Sequence, residues 1–161
     1  MKKLILNVVV CLLVVSTVFI PGKAQASYED AWKFVCEWDC GEAMFEPEYG
    51  GYTVHGYSSS FFDKLPSSTA EAEDWTYYDY WLPAGCAGFS TTFSQTVCLD
   101  TAFFHGVAAW KYFSSLYWDE SDDDLACKVI DERAASRDQN SPYAEGWHNR
   151  DAALAALGGC W

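Results

Sequence analysis

Beyond residue 26 the chain carries six cysteines: Cys36, Cys40, Cys86, Cys98, Cys127 and Cys160. An even set in an exported chain reads as three disulfides, and three cross-links confine the fold to a small stapled domain. The spacings do not repeat as Cys-x2-Cys pairs, which argues against a zinc site. The fifteen pairings stay open on sequence alone. Cys36 and Cys40 lie one helical turn apart. A regular helix holds such positions poorly for a direct bond, so each is expected to reach a different partner.

The exported reading comes from the first 26 residues. Met1-Lys-Lys3 is a positive start, residues 4–20 are uncharged and apolar, and Ala24-Gln-Ala26 is a small-x-small cleavage site. Together they read as a secretory signal peptide, with Pro21-Gly22 arguing against a short membrane anchor. Cys11 lacks the small residue expected before a lipoprotein cysteine. Cleavage leaves residues 27–161 as one domain of 135 residues, secreted or periplasmic, with no stable membrane insertion once the signal is gone. The leader holds three lysines and no acid, so its removal takes the net charge from −13 to −16. Such a surface repels nucleic acid and anionic membrane. It leaves a protein or small molecule as the partner.

Periodicity makes the domain mainly α. Ser27-Tyr-Glu-Asp30 reads as a helix start capped by Ser27, running to about Cys40 and stopped by Gly41. Residues 41–83 are rich in turn residues and aromatics, with a short strand at residues 52–55 and a short helix from Glu71. They are expected to form a long irregular aromatic-rich insertion packed on the helices. Phe89, Phe93 and Val97 have helical spacing. Thr101-Ala-Phe-Phe-His-Gly-Val-Ala-Ala-Trp110 is the most apolar stretch, expected as a core helix capped by Asp100 or Thr101 and fading near Trp118. Ser121 followed by three aspartates opens another helix, continued by Leu125, Ala126, Val129, Ile130 and Arg133. Ser141-Pro142 reads as a cap and first turn, and Gly158-Gly159 ends the last helix.

A histidine inside an apolar helix needs a partner, and His105 finds candidates in Asp131-Glu-Arg133 and Trp147-His-Asn149. If three helices meet, His105, Glu132 and His148 converge. A histidine oriented by a carboxylate is a general-base pair, and Asn149 would supply an oxyanion or substrate donor. Two histidines and a carboxylate are equally a metal set, so sequence assigns neither a metal nor a cofactor. No His-Glu-x-x-His, Gly-x-Ser-x-Gly or phosphate-loop motif is present.

The pattern Ala102-Phe-Phe-His105, Trp110, Glu132 and His148-Asn149 resembles an uncharacterised family of bacterial helical domains, often exported or found at the ends of toxin-like proteins. That family has Asp-Ala-(Phe/Tyr)-Arg-His on one helix, Ala-x-x-His-Glu on the next and His-Asn-Asn on the last. The match covers residues 101–157. Thr101 stands for the family's Asp, Phe104 for its Arg, Asp131 for its His and Arg150 for its second Asn. The resemblance implies a helical fold with a degenerate or repurposed polar site, and no defined activity. A likeness to secreted phospholipases A2 is architectural only, because no His-Asp dipeptide exists here.

Two further clusters invite functional readings. Residues 119–124 gather acids that could hold calcium, but a helix start explains them fully. Tyr77, Tyr78, Tyr80 and Trp81 beside Glu71, Glu73, Asp74 and Asp79 could serve a glycoside hydrolase, yet aromatics are also what fills a loop-rich core. Two functions therefore stand. One is a hydrolase-like or toxin-like effector using His105, Glu132, His148 and Asn149. The other is a non-catalytic extracytoplasmic binding, inhibitor or immunity protein acting through an acidic aromatic surface. The first requires the polar residues to meet at a pocket floor; the second requires exposed aromatics.

Overall fold

The middle helix organises everything else, because ten consecutive residues of it, Phe93 to Ala102, are buried. The computed structural model describes residues 22–47 and 51–160, with side chains from Ser27 onward. Within it, α1 (Gly22–Asp39), α4 (Thr92–His105), α5 (Val107–Ser115), α6 (Asp122–Ala135) and α7 (Ala144–Gly158) are the main helices. Helix α4 touches α1, α5, α6 and α7, so it is covered on all sides. The domain is mainly α, and three disulfides staple it. Among the described residues no helix is long and apolar enough to cross a membrane. The apolar segment at residues 4–20 and Trp161 lie outside the described residues.

Between α1 and α4 the aromatic excursion is more regular than its composition implies. Strands β1 (Met44–Glu46), β2 (Gly51–Val54) and β3 (Tyr57–Ser58) pair antiparallel in chain order. Helix α2 (Thr69–Thr76) is capped by Ser68, whose side chain accepts from Glu71 N. It passes into a π-helical turn, Tyr77–Trp81, and a last short turn α3 (Leu82–Ala84) that ends on Gly85. The aromatics turn inward where they can. Tyr57 is fully buried, with rings of Phe62, Trp75, Tyr80 and Phe103 around it. Thr76 donates its only hydroxyl proton to Ala72 O at 2.8 Å, so Tyr57 donates to Thr76 at 2.9 Å.

His55 and Gly56 connect β2 to β3 with φ of +49° and +80°. Positive φ at both central residues is what a two-residue hairpin following the strand twist demands. A methyl on Gly56 would meet the Phe103 ring at 2.6 Å. Gly56→Ala is therefore expected to cost about 1–3 kcal/mol, combining backbone strain and overpacking. Urea unfolding checks this, and pairing the change with Phe103→Leu should recover part of the loss. Equal loss in both backgrounds would mean that the Phe103 clash contributes nothing.

Several local expectations are corrected. Ser27 is interior to α1, which already runs from Gly22, so it is not a cap. Asp100 and Thr101 are not caps either; α4 begins nine residues before Thr101, capped by Thr91. The apolar stretch is not one helix. It breaks at Gly106, whose φ of 89° and ψ of 153° belong to a region open essentially to glycine alone. The Ser141 side chain accepts from Tyr143 N in a turn, and α7 starts at Ala144. Cys36 and Cys40 bond to each other, with Cα atoms 4.5 Å apart. The helix ends at Asp39, so Cys40 leaves helical geometry and swings back. Cys86–Cys98 ties the turn before α4 to that helix, and Cys127–Cys160 ties α6 to the tail beyond α7. The last loop is the longest, and its closure alone is worth about 3–4 kcal/mol on the chain-entropy model.

Two other expected boundaries hold. Ser121 caps α6, and Gly159 ends α7 in the left-handed conformation. The acids at residues 122–124 are used structurally. Asp122 accepts from Ser90 N at 2.7 Å and Ser90 Oγ at 2.6 Å, Asp123 from Thr91 Oγ1, and Asp124 from Ser121 Oγ. They fasten the start of α6 to the start of α4.

Candidate functional site

Charged side chains occupy the place where α1, α4, α6 and α7 meet. Asp39 ends α1, Asp100 lies mid-α4, Arg133 sits in the last turn of α6 with Arg137 just beyond it, and Arg150 and Asp151 lie on α7. Asp100 and Arg133 are fully excluded from solvent, and Arg150 and Asp151 nearly so. Burial of this many charges is tolerable only if each meets an opposite partner.

They form one alternating chain. Asp39 pairs with Arg150 at 2.7 Å, and Arg150 pairs with Asp100 through Nη2 at 2.5 Å and Nε at 2.8 Å. Asp100 pairs through its other oxygen with Arg133 at 2.7 Å. Arg133 reaches Asp151 at 2.9 Å and donates to Thr101 Oγ1 at 2.9 Å. Asp151 pairs with Arg137 at 2.6 Å, and Arg137 ends the chain by donating to His105 Nε2 at 3.0 Å. Three carboxylates and three guanidiniums cancel. Phe104 lies beneath both outer arginines, about 5 Å from each guanidinium carbon. The two arginines hold Asp100 below the usual carboxylate range although burial opposes ionisation.

The arginine contact decides the state of His105. A guanidinium only donates, so Nε2 is the accepting nitrogen and Nδ1 carries the proton. Burial, reinforced by Arg133 and Arg137, lowers the pKa of the ring to about 3. Position at the C-terminus of α4 would favour the cation, but desolvation and the arginines outweigh the helix dipole. His105 is neutral at physiological pH, and its basic lone pair is occupied.

A pH dependence follows. In the unfolded chain the ring titrates near 6.5, in the folded chain near 3, so below pH 6.5 the unfolded state takes up the proton first. Stability is lost as pH falls through that window, by up to about 1.4 kcal/mol per unit before solvent screening. Asp39, pushed up by burial, works in the opposite direction. Comparison with His105→Gln isolates the histidine. Wild type should lose stability relative to the variant between pH 6.5 and 5 in urea melts, and parallel profiles would contradict the assignment.

Asp39, at one end of the charge chain, and His105, bonded to the other end, both line one cavity of about 530 Å³. Its aromatic lining comes from Phe61 and Phe62 after the sheet, Tyr80 in the π turn, and Phe103 and Phe104 on α4. Its polar lining comes from Asp39, Glu46, Thr53, Ser58 and His105. Thr53 Oγ1 is buried without a hydrogen-bond partner. Among the described residues Glu46 makes no ion pair, and its charge helps raise the pKa of Asp39, so the two carboxylates feel each other. The charge chain is neutral, so Glu46 leaves this site with net negative charge.

The four residues singled out from sequence do not assemble. His105 bonds Arg137; Glu132 is half-buried and accepts from Tyr117 at 2.5 Å; Asn149 is exposed. His148 is exposed at a shallow recess beside Arg137, Trp147 and Asp151. No hydrogen bond or ion pair among the described residues joins any two of the four. The same segments do converge, through the neighbours Arg133, Arg150 and Asp151. Spacing carried that signal: Arg133 continues the stripe of Val129 and Ile130, and Arg150 and Asp151 lie one turn before the buried Leu154 and Ala155. Among the described residues, no group of three or more histidines, cysteines and acids is placed to hold a metal ion. Of the glycosidase candidates, Trp81 is buried, and Glu71 is held by Lys64 and Ser67.

No family model, curated protein or solved structure matches the chain.

Proposed function

We propose that this chain is an exported, disulfide-held binding protein that seats a small ligand in the cavity between the three-stranded sheet and the end of α4. The observation that carries the reading is the cavity itself. Its volume is that of a small-molecule site, five of its twelve lining residues are Phe or Tyr, and a few polar groups line it beside them. The charge chain supplies preorganisation: Asp39 and His105 are held from behind by arginines that cannot move without leaving a buried carboxylate unpaired. A hydrolase using His105 as its base is disfavoured, because that nitrogen already accepts from Arg137.

The test is an NMR-detected fragment screen of the oxidised protein with cationic, neutral and anionic small molecules, run beside turnover assays on ester, peptide and glycan reporters. The reading expects saturable shifts at Phe61, Phe103 and His105, with the ligand recovered unchanged. Either an absence of shifts at these residues or reporter turnover abolished by His105→Gln would overturn it.

A further inference from the structure

We propose that the ligand class of this cavity is a compact organic cation, with Glu46 as the residue that selects for charge. This rests on the binding reading above and adds the chemistry of what binds. Five aromatic side chains line the space, and an ammonium beside aromatic faces is attracted by their quadrupoles once water is displaced. Of the two carboxylates present, Asp39 is paired with Arg150 through one oxygen, and among the described residues its other oxygen has no cationic partner. Glu46 has no cationic partner among the described residues, and it repels Asp39. Two carboxylates that repel each other, one of them unpaired, are relieved by a positive charge placed near both.

Anions fare worse. The arginines nearest the cavity are already committed to Asp39, Asp100 and Asp151, and Phe104 covers them. His105 is a neutral ring bonded through Nε2 to Arg137, which leaves Nδ1–H as its other donor, and Thr53 has a buried hydroxyl without a hydrogen-bond partner among the described residues. Each can serve a hydroxyl or carbonyl carried by the cation. A cation of this kind could be a free amine or the side chain of a lysine.

The probes are choline, its neutral isostere 3,3-dimethylbutan-1-ol, and N-acetyl-lysine methylamide, titrated by calorimetry and NMR into the oxidised protein. Choline is expected to bind at least tenfold more tightly than the neutral alcohol. Glu46→Gln should remove at least that factor for choline and change the alcohol little. The variant should keep its melting midpoint, since Glu46 makes no ion pair and lies at the end of β1. Tighter binding of choline than of the lysine derivative marks a free small-molecule ammonium, and the reverse marks a peptide side chain; both support the cation class. If the alcohol binds the cavity as tightly as choline, the cation class is wrong and the binding reading survives. If none of the three shifts the cavity residues and the wider fragment screen is also silent, both fall.

Discussion

Asp100→Ala is expected to destabilise the protein by about 3–5 kcal/mol, a large part of the 5–15 kcal/mol that holds a domain of this size together. Each oxygen of Asp100 serves a different guanidinium, and the residue is completely buried. Removing it breaks the charge chain in the middle. Arg133 keeps Asp151 and the Thr101 hydroxyl, Arg150 keeps only Asp39 as a charge partner, and both guanidiniums are buried from the water that could compensate. Most of the cost is the stranded cations rather than the lost attraction. That distinction has its own consequence. Replacing Asp100, Arg133 and Arg150 together by Leu, Met and Met should cost less than Asp100→Ala alone, because the stranded charges leave with their partner. The Asp151–Arg137 pair survives in that variant, and Asp39 is the most exposed member of the chain. Urea midpoints of both variants decide the matter. A triple variant as damaged as the single one would mean that the chain is worth more than its desolvation.

Trp81→Ala is expected to cost about 3–5 kcal/mol by a different route. Trp81 ends the π turn at 1 % exposure, and Tyr28 of α1 meets it edge-on with centroids 5.3 Å apart. Tyr28 also donates to Glu73 O at 2.5 Å, so the indole sits under the contact that docks α1 on α2. Truncation leaves a void that this cross-braced region cannot close, because Cys86–Cys98 holds the segment just beyond it. Trp81→Phe should lose about half as much. Equilibrium unfolding and loss of near-UV dichroism report the effect. A loss below about 1 kcal/mol for the alanine variant would show that the region repacks freely.

The caps and stops that hold are those whose physics is local. Ser121 accepts from Asp124 N because a cap needs only a hydroxyl and three residues of chain. Gly159 ends α7 because only glycine takes the left-handed conformation without strain. Gly106 shows the opposite case. A glycine within an apolar run is compatible with a continuous helix, and its break becomes visible only when α4 and α5 must both pack. Cys36 and Cys40 pair because the helix ends between them, a boundary that spacing places only to within a residue or two.

The candidate site divides the same way. Local spacing was sufficient to bring the His105, Arg133 and Trp147 segments to one junction, since each follows a buried stripe of its own helix. Which residue of each segment enters was a question of 100° per position about the helix axis. Glu132 and His148 lose to Arg133, Arg150 and Asp151 by one to three positions. Chemistry-bearing types attract attention in a sequence, while arginine and aspartate read as solvated surface. They are buried here because opposite charges arrive from other helices. By itself the amino-acid order determined the helical class, the N-cap of α6, the glycine stop of α7 and the presence of disulfide cross-links, all set by interactions within a few residues or by cysteine parity. Tertiary structure alone decided the disulfide pairing, the charge chain, the neutrality of His105 and the cavity it lines, because each depends on groups brought together across tens of residues, whose energies appear only after water has been removed.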